Sequence, residues 1–229
     1  MQPDIQFGTQ AGQLTVEQNR VMRNTYMLLA FTMVPTVIGA FAGMASVGIF
    51  MQHPIITSLV VLGAVIGLQF AIVANRNSGL GIVLLLGMTF LLGWFLGPLL
   101  TVALRLSNGG QLVGLAAGGT GVVLFAMATI ATTTKKDFSF MGKFLFVGMI
   151  VLLVAGLANM FLQIPALALT ISALVIVVFS LFLLHDLSRI VTGGETNYVV
   201  ATMSVYMSLF NIFANLLQLL MAFMGGNRD

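Results

Sequence analysis

Cysteine is absent from the 229 residues. Disulfides, thiol nucleophiles and thiolate metal sites are therefore excluded. Charge is scarce too: 7% of residues are Asp, Glu, Lys or Arg, against about 25% in an ordinary soluble domain. The two histidines, His53 and His185, lie far apart and make no metal-ligand cluster by themselves. A formal charge of +3 is too small for a nucleic-acid surface, so no nucleic-acid partner is expected. There is no HExxH, no Ser/His/Asp constellation and no pair of intramembrane aspartates. Hence no enzyme is expected and no cofactor is implied.

What the chain has in abundance is apolar surface. Hydrophobic residues make up 59% of it, and the mean hydropathy is +1.09. This is the composition of a multi-pass membrane protein whose main partner is the bilayer. Residues 1–24 are polar and read as a cytoplasmic N-terminal tail, with Asp4, Glu17, Arg20 and Arg23. The tail lacks the short apolar core that follows the charged start of a signal peptide. Residues 25–229 read as one all-α transmembrane domain of seven helices. The segments are Tyr26–Ala45, Ile55–Ala74, Leu80–Thr101, Leu112–Thr132, Phe144–Phe161, Ala166–Leu184 and Tyr198–Met224. Each is close to the roughly 20 residues that cross a bilayer core. Pro35 interrupts the first and is expected to kink it. Pro54 and Pro165 open the second and sixth, where the missing N–H has no helical partner to lose.

Glycines recur four apart at Gly39/Gly43, Gly63/Gly67, Gly93/Gly97 and Gly114/Gly118. Such pairs let backbones approach closely. Packing within one chain is the expected use, so a monomer is favoured. Basic residues set the orientation. Arg20, Arg23, Arg76, Lys135, Lys136, Lys143 and Arg189 fall on one side, and Arg105 and Arg228 on the other. The N-terminus should face the cytoplasm, and seven spans then put the C-terminus in the periplasm.

The last helix is the organising element. Ser204, Ser208, Asn211, Asn215 and Gln218 are spaced 4, 3, 4 and 3 apart and share one face. Hydrocarbon cannot satisfy amides and hydroxyls, so this face must turn to protein or water. The helix is therefore expected at the centre of the bundle. One use of the stripe is interhelical hydrogen bonding, with Asn159, Gln69, Thr25, Thr32 and Thr36 as candidate partners; the other is the lining of a pathway. Asp186 is the only acidic residue in or bordering an apolar segment. Arg189, three residues on, is its expected local ion partner. His185 beside it is a candidate pH sensor, because histidine titrates near neutrality. The loop Thr132–Lys143 is basic and suits anionic lipid or a cytoplasmic partner. In the turn Gly193–Asn197, two glycines end one helix, and Thr196 or Asn197 can cap the next.

Several stretches resemble the Bax inhibitor-1 family, and within it the bacterial YccA-like branch. They are Arg23-Asn24-Thr25-Tyr26, Thr134–Phe140, Ala158–Leu167, Gly193–Tyr198 and Ser204–Phe213. Together they cover nearly the whole chain after the tail. The resemblance implies seven membrane helices with the last surrounded by the other six. It implies a pH-sensitive calcium leak in some members, gated by two aspartates that share a proton and are latched by an arginine. The first aspartate matches Asp186; Ser208 stands at the second position, and the latch falls at Arg76 or Asn75. One carboxylate and one hydroxyl make a weaker calcium ligand than two carboxylates, so Asp186 is a weak calcium candidate. Asn211 and Asn215 would lie deeper along such a path. The YccA-like branch implies a different role. It would be a non-enzymatic protein of the bacterial inner membrane that partners and modulates the FtsH-type membrane AAA protease in quality control, with the tail as a handle.

Overall fold

The computed structural model describes residues 5–134 and 136–225. Its helices, in chain order, are α1 (Ile5–Ala45), α2 (Val47–Gln52), α3 (Pro54–Ala74), α4 (Gly79–Leu104), α5 (Gly109–Thr134), α6 (Gly142–Leu162), α7 (Pro165–Thr192) and α8 (Tyr198–Met224). A single 3-10 turn, Ser139–Met141, precedes α6. No strand occurs among the described residues. Seven helices are long and apolar enough to cross a membrane: Gln18–Ala45 within α1, then α3, α4, α5, Ser139–Leu162, α7 and α8. Each of the seven expected segments falls inside one of them. Asp4, Lys135 and Arg228 lie outside the described residues.

Helix boundaries follow local chemistry. Pro54 and Pro165 occupy the first turns of α3 and α7. Gln163 ends α6 in the left-handed region at φ 52°, and the Asn159 side-chain carbonyl accepts the Ile164 N–H at 3.1 Å. α1 continues through Pro35 as a single 41-residue helix. It stops where the Ser46 hydroxyl turns back to the Ala42 carbonyl at 2.8 Å and accepts the Trp94 indole N–H at 2.7 Å. The short α2 follows and buries Phe50 against Trp94, ring centroids 4.4 Å apart.

α8 is the central helix, packed against α1, α3, α4, α5 and α7. Its Val199, Val205 and Ile212 sit in the main core with Ile72 of α3, Leu85 and Met88 of α4, and Leu183 and Ile190 of α7. Leu217 closes a smaller core at the far end with Ala103 of α4 and Leu112 and Ala116 of α5. The expected ring of six is a ring of five, because α6 packs on α7 and the 3-10 turn instead. α6 shows Phe144, Val147, Val151, Val154 and Phe161 on its exposed surface. A bilayer covers such a surface with hydrocarbon, so a peripheral helix can be apolar nearly all round.

The tightest seam joins α1 to α4. A methyl on Gly39 would overlap the Phe90 carbonyl, one on Gly43 the Trp94 carbonyl, and one on Gly93 the Thr36 carbonyl. Only hydrogen in place of a side chain lets these backbones meet. Two of the glycine pairs thus pack helix on helix within the chain, as expected. Gly63, Gly67, Gly114 and Gly118 have open space where a Cβ would stand.

Candidate functional site

The helix ends that carry Arg20, Arg23, Arg76, Lys136, Lys143 and Arg189 form one end of the bundle. The α7–α8 turn shapes it. Gly193 takes φ 81°, a conformation that favours glycine, and its N–H closes on the Ile190 carbonyl at 3.3 Å. The Asn197 carboxamide works at both of its ends. Its oxygen accepts the Val199 and Val200 N–H groups at 3.0 and 3.2 Å, capping α8. Its nitrogen donates to the Arg76 carbonyl at 3.0 Å and to the Asn77 side-chain oxygen at 2.9 Å, tying the α3–α4 connection to the start of α8. Asn197 is thus the cap. Arg189 bonds the Gly194 carbonyl at 3.1 Å and lies 3.5 Å from the Glu195 carboxylate.

Asp186 sits within α7 rather than at its end, because the helix runs to Thr192. Thr192 is six residue steps on, which is about 9 Å along the axis. Its partner is not Arg189, which the turn has drawn away. The His185 Nδ1 lies 2.9 Å from the Asp186 Oδ1, and the two side chains are 11% and 14% exposed. The loop after α5 folds over this pair. The Phe138 N–H donates to the Ser188 hydroxyl at 3.4 Å, and Gly142 lies so close to the His185 ring that a Cβ there would stand 2.8 Å from Nε2. Asp137 sits within electrostatic reach of His185 and Arg189, and its carboxylate is held below the usual range, first by hydrogen bonding to Ser139. The loop's contact with His185 was not legible in the sequence. The closest signal was the Asp137-x-Ser139 turn, whose Ser139 N–H donates to the Asp137 carboxylate at 2.8 Å.

Ser208 is 2% exposed in α8, ten residues in from Tyr198. That is about 15 Å along the axis of α8. Arg76 is elsewhere: it is exposed at the α3–α4 connection and forms no ion pair with Asp186 among the described residues. The neighbouring Asn75 turns back to donate to the Ala71 carbonyl at 2.8 Å. Asn211 and Asn215 each donate to the carbonyl four residues back, Met207 and Asn211, at 2.8 Å. Those two amides therefore serve their own helix rather than a neighbour. Asn159 is committed to the end of α6, which packs on α7.

The interhelical bonds of α8 come from its other side. The Tyr206 hydroxyl meets the Thr36 hydroxyl of α1 at 2.7 Å, and Tyr206 also donates to the Thr89 carbonyl of α4 at 3.4 Å. Thr202 donates to the Thr25 carbonyl at 3.4 Å. The threonines of α1 do enter the interior, but only Thr36 meets α8 through its side chain, and the Thr32 hydroxyl donates to the Leu29 carbonyl at 2.6 Å. Among the described residues no three His, Asp or Glu side chains converge, so a cation at Asp186 would depend on neutral oxygens for its other ligands.

Comparison with known proteins places the chain. Residues 18–225 match the family described as Inhibitor of apoptosis-promoting Bax1. A membrane protein of Vibrio cholerae is 42% identical over 206 residues, 90% of this chain and 91% of its own. The Modulator of FtsH protease YccA of Escherichia coli is 40% identical over 203 residues, 88% of this chain and 90% of its own. A Pseudomonas aeruginosa protein is 41% identical over 204 residues, 89% of each chain. With the seven apolar helices, the central α8 and the matched Gly193–Tyr198 turn in place, the chain is a multi-pass membrane protein belonging to the Bax inhibitor-1 family.

Proposed function

We propose that this protein is a non-enzymatic partner and modulator of the FtsH-type membrane AAA protease in a bacterial inner membrane, with its N-terminus in the cytoplasm. One observation carries the reading. The Escherichia coli protein named for that role is similar over nine-tenths of its own length, so the likeness is not confined to one motif. The polar stretch ahead of the first span gives a machine that pulls on chain ends something to grip. The test is co-purification with the protease from membranes. The full-length chain should retain it, and a chain lacking residues 1–20 should retain less. Failure of both to bind overturns the reading.

A second reading, a cation leak, draws support from one feature. Asp186 is a mostly buried carboxylate paired with His185 inside a membrane helix, and ion paths are among the uses such groups have. Calcium flux into proteoliposomes, at acid against neutral pH, tests it. Flux that depends on pH and falls in Asp186→Asn supports the leak. No flux above protein-free liposomes, from folded protein, removes it.

A further inference from the structure

We propose that a half-open cavity of about 540 Å³ at the basic end of the bundle is a binding site for a phosphate-bearing anion. The chemistry fits the phosphodiester headgroup of an anionic phospholipid and also free phosphate. The cavity gathers Arg20 and Asn24 from α1, Arg76 and Ser78 from the α3–α4 connection, and Asn197 and Tyr198 from the start of α8. Two arginines from different elements thus line one space, and no described residue lining it is acidic. Planar guanidinium forks match the oxygens of phosphate, which a lysine cannot do.

The two helix starts at the cavity differ. α8 is capped by Asn197, which satisfies its Val199 and Val200 N–H groups. α4 starts at Gly79 with no side-chain cap, and Ser78 turns its hydroxyl to the Asn75 carbonyl at 3.0 Å. The start of α4, which lacks a side-chain cap and lies in the cavity lining at Ser78 and Gly79, adds partial positive charge to that of the arginines. Val21 and Ile82 supply an apolar side to the same cavity, and Leu80 and Val83 of α4 are exposed nearby. A headgroup could rest among the polar groups while its chains follow the apolar side. The cavity also gathers residues of two stretches that carry the family resemblance, Asn24 of Arg23–Tyr26 and Asn197 and Tyr198 of Gly193–Tyr198. This site does not depend on either reading of the protein's function.

The experiment uses full-length protein in detergent, with binding read by thermal shift and by native mass spectrometry. The probes are dioctanoyl phosphatidylglycerol, dioctanoyl phosphatidylcholine and inorganic phosphate. Wild type should bind phosphatidylglycerol more tightly than phosphatidylcholine. R20Q/R76Q should lose at least about tenfold in that affinity. R23Q and R105Q, which change arginines outside the cavity, should not. Saturable binding of inorganic phosphate, lost in the double variant, assigns the site to a free anion. Binding of phosphatidylglycerol alone assigns it to the headgroup. Equal binding of the two lipids with no saturable binding of phosphate, or undiminished binding by a folded R20Q/R76Q protein, overturns the proposal. Should the double variant fail to fold, Arg76→Lys decides: it keeps the charge and loses the fork, and affinity should fall several-fold. Unchanged affinity in Arg76→Lys then counts against the site.

Discussion

At the residue scale, Asn197 carries more than its place in a turn suggests. It caps α8 and holds the α3–α4 connection through one carboxamide. Asn197→Ala should cost about 1–2 kcal/mol, the value of a lost helix cap with some added loss from the tie. Asn197→Asp keeps the accepting oxygen and loses both donated bonds, so it should fall between alanine and wild type. Thermal unfolding in detergent, followed by the fluorescence of Trp94, orders the three. Tyr206→Phe makes a parallel case inside the membrane. It removes the hydroxyl that joins α8 to Thr36 and reaches Thr89. The expected cost is about 0.6–2 kcal/mol, with Thr36 left to its own bond to the Thr32 carbonyl. Asp137 supplies the pH argument. Its carboxyl is held below the ordinary value in the folded loop, so its bond to the Ser139 N–H is fully present above the unfolded value, about 4. That support is lost as pH falls through the lowered folded value. Hydrogen exchange at the Ser139 amide should therefore quicken, relative to neighbouring loop amides, only in strong acid, and Asp137→Asn should abolish the pH dependence.

At the element scale, the glycine pairs separate what a pattern gives from what packing adds. Four pairs share the same spacing, and nothing local distinguishes them. The fold uses Gly39/Gly43 and Gly93/Gly97 to bring α1 onto α4, and leaves Gly63/Gly67 and Gly114/Gly118 facing open space. Gly43→Ala should push α1 off α4 and cost about 1–3 kcal/mol. Gly114→Ala fills no occupied space and should be neutral or stabilise by up to about 1 kcal/mol through helix propensity. Melting temperatures of the two variants give the contrast; equal losses would mean the α1–α4 seam is not the tight contact described. The same limit explains the polar stripe. Its 4-3-4-3 spacing fixed a shared face, because that depends only on helix geometry. It did not fix a partner, and Asn211 and Asn215 found theirs on their own backbone. At Asp186 the sequence identified the carboxylate but misplaced its environment. α7 runs past the expected end at Leu184 to Thr192, so Arg189 belongs to the closing turn and His185 takes the contact. Helix ends are set by caps and turns, and the apolar run alone does not reveal them.

At the scale of the whole molecule, the seven spans were legible because length and hydropathy suffice to mark a membrane helix. The central place of α8 was legible because a polar face cannot lie in lipid. The place of α6 outside that ring was not, since an apolar helix packed on one neighbour reads like one packed on several. Charge asymmetry makes the remaining whole-chain prediction. Seven of the nine basic residues fall on one side by sequence, and an odd number of spans sends the two termini to opposite sides. A green fluorescent protein fused after Asp229 should stay dark and an alkaline phosphatase fused there should be active, as expected for an outer-facing C-terminus. Replacing Lys135, Lys136 and Lys143 with Gln reduces the asymmetry from seven against two to four against two. That variant should yield a mixture of orientations, with some fluorescence appearing and phosphatase activity falling in proportion. A bright fusion on the unaltered chain would place the C-terminus inside and, with seven spans, move the α7–α8 turn and the cavity of Arg20 and Arg76 to the outer face of the membrane.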